Sequence, residues 1–177
     1  MHTETVFKKC TTDDIDDLIV ISQQFYPEHY SHIWKNNDTS YYINLSFTKT
    51  AFEKDFKTEN ISYYIIKKAN RNVGLLKLRE HQGFDKYPTS ESIQLEKIYL
   101  LKSATGSGIG KEAINFTKKR ATLLSKKIIW LDVMTTSPAL HFYQKTGFTT
   151  VTYYHLDYPG LKDGYREMQR MLLEIKL

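Results

Sequence analysis

Residues 105–111 read Thr-Gly-Ser-Gly-Ile-Gly-Lys, and their types and spacing suit the capture of an anion. Gly106, Gly108 and Gly110 alternate with small or β-branched residues, directly after the apolar run Ile98-Tyr99-Leu100-Leu101. A helical pattern follows at once, Lys111-Glu112-Ala113-Ile114-Asn115-Phe116. A strand, a glycine loop and a helix start, in that order, make a cradle. Glycine lets the backbone turn where a side chain would clash and lets a ligand approach the N–H groups. The first N–H groups of the helix have no internal partner, and the positive end of the helix dipole favours a phosphate there. A glycine loop alone is also consistent with a tight turn whose glycines only satisfy a positive φ. The stretch is no Walker loop, because four residues do not separate Gly106 from a Gly-Lys-Ser/Thr. Nor is it a dinucleotide fingerprint, because the last glycine falls one residue early and no early βαβ unit surrounds it.

The elements that must position this loop are legible around it. Thr5–Cys10 reads as a first strand. Thr11 follows as an N-cap with Asp14 in capping-box position, and Asp13, Asp14, Asp16 and Asp17 crowd the first turn, where the dipole favours acids. Ile15, Leu18, Ile19, Ser22 and Phe25 recur at helical spacing, and Pro27 is expected to end that helix or begin the next piece. Short helices are expected over 39–47 and 48–57. Ile61–Lys67 and Val73–Arg79 read as a hairpin turning at 69–72, and 80–91 as a loop. Ile93–Leu101 is the strand that feeds the glycine loop. Lys127–Val133 is a near-continuous apolar strand. Ser137 caps a helix from Pro138 to about Lys145, and Gly147 marks its end. Strands over 148–154 and 168–175 complete one α/β sheet with antiparallel and parallel parts, as a single domain over 1–177.

Composition narrows the functions. The 177 residues, 41% hydrophobic and 25% charged, suffice for a real core and exclude a disordered chain. The 13 Tyr and 9 Phe imply buried aromatics and tyrosine hydroxyls lining a polar cavity. A net charge of +5 suits an anionic ligand, but the lysines are scattered rather than set in a stripe, so no nucleic-acid partner is expected. Cys10 is the only cysteine, so no internal disulfide forms; that fits a reducing, cytoplasmic setting. The six His show no ligand spacing, so no metal is expected. No signal peptide or spanning segment is evident.

Two segments carry a resemblance. Leu95-Glu-Lys-Ile-Tyr-Leu-Leu-x4-Gly106-Ser-Gly-Ile-Gly-Lys111 resembles the pyrophosphate motif Arg/Gln-x-x-Gly-x-Gly/Ala of the GNAT N-acetyltransferase family. Ala139-Leu-His-Phe-Tyr-Gln-Lys-Thr-Gly-Phe148 resembles the same family's Ala-x-x-Phe-Tyr-x-Lys-x-Gly-Phe segment. Both stand in order and at the right distance, and the order of elements agrees from Val6 onward. Thr105 and Ser137 replace a longer Arg/Gln and an Asn, which shortens two contacts. The strands Glu96–Leu101 and Ile129–Val133 and the aromatic segment near 41–65 most resemble the bacterial polyamine acetyltransferase branch.

The resemblance implies a mixed, mostly antiparallel sheet flanked by helices, with two parallel central strands that splay apart. It implies acetyl-CoA as cosubstrate, held by the backbone of Ile98, Tyr99 and Leu100 and by residues 105–111: Thr105, Gly106, Ser107, Gly108, Ile109, Gly110 and Lys111. Ser137 and Lys145 add contacts to the cofactor. It gives Tyr143 the role of proton donor to the departing thiolate, against the plainer reading of a packed aromatic beside Phe142. Glu96 is the candidate base: strict alternation sets Gln94, Glu96 and Ile98 on one face and Ile93, Leu95, Tyr99 and Leu101 on the other. The alternative for Glu96 is a carboxylate paired with a lysine. The favoured acceptor is a small polyamine, met by Glu28, Tyr30, Tyr41, Tyr42 and Glu96. A protein N-terminus or lysine, another small amine, or a non-catalytic CoA-binding module are the alternatives, and a homodimer is left open.

Overall fold

The structure, a computed structural model, describes residues 4–175. Seven strands form one sheet in the order β1-β2-β3-β4-β5-β7-β6. They are β1 (Thr5–Lys9), β2 (Ile61–Lys68), β3 (Arg71–Arg79), β4 (Ser92–Leu100), β5 (Ile128–Met134), β6 (Thr149–His155) and β7 (Glu167–Glu174). Every neighbouring pair is antiparallel except β4 and β5, which run parallel. Helices α1 (Ile15–Tyr30), α2 (Ser40–Ser46) and α3 (Lys49–Phe56) share a core with one face of the sheet, and α4 (Ile109–Leu123) and α5 (Ala139–Lys145) with the other.

Alternation on the strands sorts the core between these two layers. Tyr63, Ile65 and Leu75 pack with Leu18, Phe25 and Phe52 under α1–α3. Tyr64, Ile66, Leu76 and Leu78 pack with Ile109, Ile114 and Ala121 under α4. The Thr11–Asp14 capping box forms: Asp13 N–H donates to Thr11 Oγ1 and Thr11 N–H to Asp14 Oδ2. It opens a short 3-10 turn that runs into α1.

Pro27 lies inside α1 and does not end it, contrary to the sequence expectation. Its ring removes one backbone donor. The last turn persists because Tyr26, only 3% exposed, stacks on Tyr30 and Tyr42, and Ser31 returns both its N–H and its hydroxyl to the Pro27 carbonyl. The β2–β3 turn is also tighter than expected. Ala69 and Asn70 alone make it, both at positive φ (48° and 61°), and Arg71 and Asn72 already belong to β3.

Between β3 and β4 the register slips by one residue. Lys77 faces Lys97, but Leu78 faces Leu95, so Glu96 is the extra residue of a bulge. The expected alternation fails there. Ile93 and Leu95 pack into the α4 layer before the bulge, and Ile98 and Leu100 do so after it. Tyr99 turns to the α1 layer instead. Glu96 and Lys97, successive residues, both line the cavities on the α1 side.

Gly74 on β3 sits against the end of β4. A Cβ there would lie 2.4 Å from the Tyr99 carbonyl oxygen and 2.6 Å from a Leu100 methyl. Gly74→Ala therefore forces the two strands apart. Denaturant unfolding is expected to show a loss of about 1–3 kcal/mol, the usual cost of overpacking. An unchanged midpoint would mean that β3 and β4 part there at little cost.

Candidate active site

The parallel pairing of β4 with β5 covers only Ser92–Ile128, Ile93–Ile129 and Gln94–Trp130. Beyond Gln94 the two strands separate, as expected of the two central strands. Leu101 N–H donates to Val73 O, so the backbone of the odd residues at this end of β4 faces β3. That of Ile98 and Leu100 then faces the gap, while Tyr99 bonds within the sheet. An extended chain laid in the gap would find the polar groups of Ile98 and Leu100 there. The Leu100 carbonyl already accepts from His29 Nε2 at 2.9 Å, across from α1. Next to it, Lys102 N–H donates to Glu28 Oε2 at 2.7 Å. The end of α1 is thus tied to the entry of the glycine loop.

The loop itself is an open row of donors. Gly106 and Gly108 take positive φ (73° and 87°), and Gly108 stands at the start of α4 with no side-chain cap. Among the described residues, the N–H groups of Gly106, Ser107, Gly108, Ile109, Gly110 and Lys111 have no hydrogen-bond partner in the protein; the first bonded one, Glu112, donates to Gly108 O. A Cβ at Gly106 or Gly108 would meet nothing within 4 Å. Six consecutive donors beside open space at a helix N-terminus fit a pyrophosphate. Thr105 and Ser107 spend their hydroxyls on the turn, donating to Lys102 O (2.7 Å) and Ala104 O (2.6 Å). Lys111 is exposed at the first turn of α4, where a cation can meet a phosphate.

From the gap a cavity of about 260 Å³ runs between β4, β5 and α1, bounded by Ile98, Val133, Tyr30, Tyr99 and Ser137. Ser137 accepts from Ala139 N–H at 3.2 Å, but α5 begins one residue later than expected, with Pro138 rather than Ser137 at its N-cap. Tyr143 lies one turn further on, half-buried, its ring 5.3 Å from Phe142 and 5.8 Å from Phe148. Its hydroxyl has no partner among the described residues and is not sealed from solvent. Burial pushes its pKa up to about 12, so the phenol keeps its proton throughout the neutral range. The nearby Tyr30 is likewise pushed up, by burial first and then by Tyr143. Lys145, at the far end of α5, is exposed.

Glu96 is brought to this cavity but arrives paired. Oε1 accepts from Lys77 at 2.8 Å and Oε2 from Arg79, with Lys97 Nζ at 3.8 Å. Burial alone would raise its pKa, yet the charges of Lys97, Lys77 and Arg79 outweigh it and hold the carboxyl below the usual range. That is the lysine-paired arrangement, and it makes Glu96 a weak base. Sequence reasoning missed the cations themselves. Lys77 and Lys97 are almost fully buried (3% and 8% exposed) on the central strands β3 and β4. A lysine at an inward position, as in Leu76-Lys77-Leu78, was the available signal. Lys97 Nζ donates to Tyr42 at 2.6 Å and lies 5.0 Å from the Tyr42 ring centroid. Burial would raise the Tyr42 pKa, but the Lys97 charge and its hydrogen bond lower it.

Comparison with known proteins accords with this geometry. The model of the acetyltransferase (GNAT) family matches residues 16–148, and the chain belongs to that family. An uncharacterized N-acetyltransferase in the pepI 3′ region of Lactobacillus delbrueckii subsp. lactis is 23% identical over 137 residues, 77% of this chain and 79% of that one. The PaiA N-acetyltransferase of Thermoplasma acidophilum, solved in complex with coenzyme A, superposes with a TM-score of 0.74 at 17% identity, covering 94% of this chain and 98% of its own. The spermidine/spermine N-acetyltransferase SpeG of Vibrio cholerae superposes with a TM-score of 0.70 at 18% identity, covering 96% and 93%. At such identities the two structures share the fold. Among the described residues, no helix is long and apolar enough to cross a membrane, and no cluster of His, Cys, Asp and Glu suits a metal.

Proposed function

We propose that the protein transfers an acetyl group from acetyl-CoA to the primary amine of a small molecule. The observation that carries this reading is the row of six unpartnered N–H groups from Gly106 to Lys111, opening beside the gap between β4 and β5. Residues 106–111 hold the pyrophosphate, Ile98 and Leu100 offer backbone groups to the pantetheine arm, and Ser137, Lys111 and Lys145 border its path. When bound, acetyl-CoA supplies an activated acetyl thioester.

The chain's own residues do the rest. At pH 7 an ordinary alkyl ammonium ion needs about 4.6 kcal/mol to become the free base. The buried ammonium of Lys97 disfavours a second cation near it and so lowers that cost. Glu96, held ionised, offsets the cations of the pocket and accepts protons only weakly. Tyr143 carries its proton at neutral pH and is the donor for the departing thiolate. The polyamine acceptor has the tyrosine-lined cavity in its favour, yet the two carboxylates meant to hold it are engaged, Glu28 by Lys102 N–H and Glu96 by Lys77 and Arg79.

A thermal-shift titration tests the cofactor half of this reading. Acetyl-CoA at 100 times its Kd should stabilise the fold by about 2.7 kcal/mol. A midpoint that stays fixed up to millimolar acetyl-CoA would remove the proposal.

A further inference from the structure

A second cavity, of about 440 Å³, adjoins the first and shares Tyr42, Glu96, Lys97 and Tyr158 with it. Four cationic side chains line it, Lys54, Lys77, Arg79 and Lys97, against two carboxylates, Asp55 and Glu96. Both carboxylates are ion-paired. Asp55 takes Lys77 at 2.7 Å and the Tyr63 hydroxyl, and Glu96 takes Lys77 and Arg79. Lys77 is spent on both, while Arg79 and Lys97 keep donors free. Lys97 makes one hydrogen bond, to the Tyr42 oxygen, and its nearest carboxylate oxygen, Glu96 Oε1, is 3.8 Å away. Arg79 engages Glu96 through Nε, and its two terminal nitrogens have no partner among the described residues. Lys54 is exposed beside them and has no ion-pair partner among the described residues. Charges taken out of water call for compensation, and planar guanidinium forks match carboxylates and phosphonates. A polycation entering this space would meet cations with no free carboxylate.

We infer that the acceptor is a small primary amine bearing its own anionic group, a carboxylate or phosphonate, with the anion held by Lys97 and Arg79 and the amine directed into the first cavity. This rests on the acetyltransferase reading above and adds the substrate class. Amide formation balances simply: the amine nitrogen bonds the acetyl carbon, the carbon–sulfur bond breaks, the thiolate takes one proton, and the ammonium has given one to water.

Matched acceptors test it, with thiol release as the readout: methionine against methioninamide, 2-aminoethylphosphonate against ethanolamine, and spermidine. At least one anionic member should exceed its uncharged partner in kcat/KM by about tenfold or more, the effect of one charge-assisted contact, and exceed spermidine as well. The methionine and phosphonate arms show which anion fits. Arg79→Gln should raise KM for the anionic acceptor about tenfold, with the acetyl-CoA thermal shift kept and the uncharged partner unaffected. Lys97→Gln should raise the anionic acceptor's KM as well and, because Lys97 also favours the free amine, lower kcat for both acceptors; Arg79→Gln carries the test if the buried Lys97 variant does not fold. Acetyl-CoA binding with spermidine or the uncharged amines preferred, or with no anionic amine acetylated, overturns the inference. Absence of acetyl-CoA binding overturns the acetyltransferase reading instead.

Discussion

Gly108→Trp should abolish the stabilisation that acetyl-CoA confers while the chain still folds. The two effects separate for a structural reason. At φ 87° any side chain is strained by about 1–2 kcal/mol, which a domain of this size can absorb. A Cβ there touches nothing within 4 Å, so no core contact is lost. The indole instead stands in the open space at the start of α4, beside the donors the pyrophosphate needs. Thermal unfolding with and without acetyl-CoA reads both quantities. The wild-type shift of several degrees should disappear, and the ligand-free midpoint should fall only slightly. A preserved shift would mean that the loop is a turn and no cradle.

Tyr143→Phe should lower kcat by about 10²-fold, the usual worth of a positioned proton donor. The ring stays between Phe142 and Phe148, so packing is kept and only the hydroxyl goes. The acetyl-CoA thermal shift should persist, because Tyr143 is no part of the N–H row. Full activity in the variant would return Tyr143 to a packing role. Turnover lost together with cofactor binding would point to a disturbed α5.

What the sequence showed and what it hid divide along physical lines. The glycine loop was legible because its demands are local: positive φ at Gly106 and Gly108, an apolar strand before, a helix after. The Ala139–Phe148 segment was legible for the same reason, with its helix start misplaced by one residue. The Glu96 bulge was not. A bulge is set by cross-strand pairing with β3, and period-two reasoning along β4 alone cannot see it. That one residue swaps the faces of Ile98 and Tyr99 and sends Lys97 into the site. The partners of Glu96 were hidden as well, because Lys77 and Arg79 stand 19 and 17 residues away on another strand. Pro27 misled because a proline's local cost was outweighed by the stacking of Tyr26. Local backbone chemistry could be read from the chain, and charge assembled across strands could not.

Catalysis of acetyl transfer shows most plainly in the ratio of the two products. The purified protein is mixed with acetyl-CoA and the amine panel, free thiol is counted, and the amines are weighed by mass spectrometry. One thiol should be released for each amine that gains one acetyl group. Tight acetyl-CoA binding with no acetylated amine would contradict it and leave a CoA-binding module in its place.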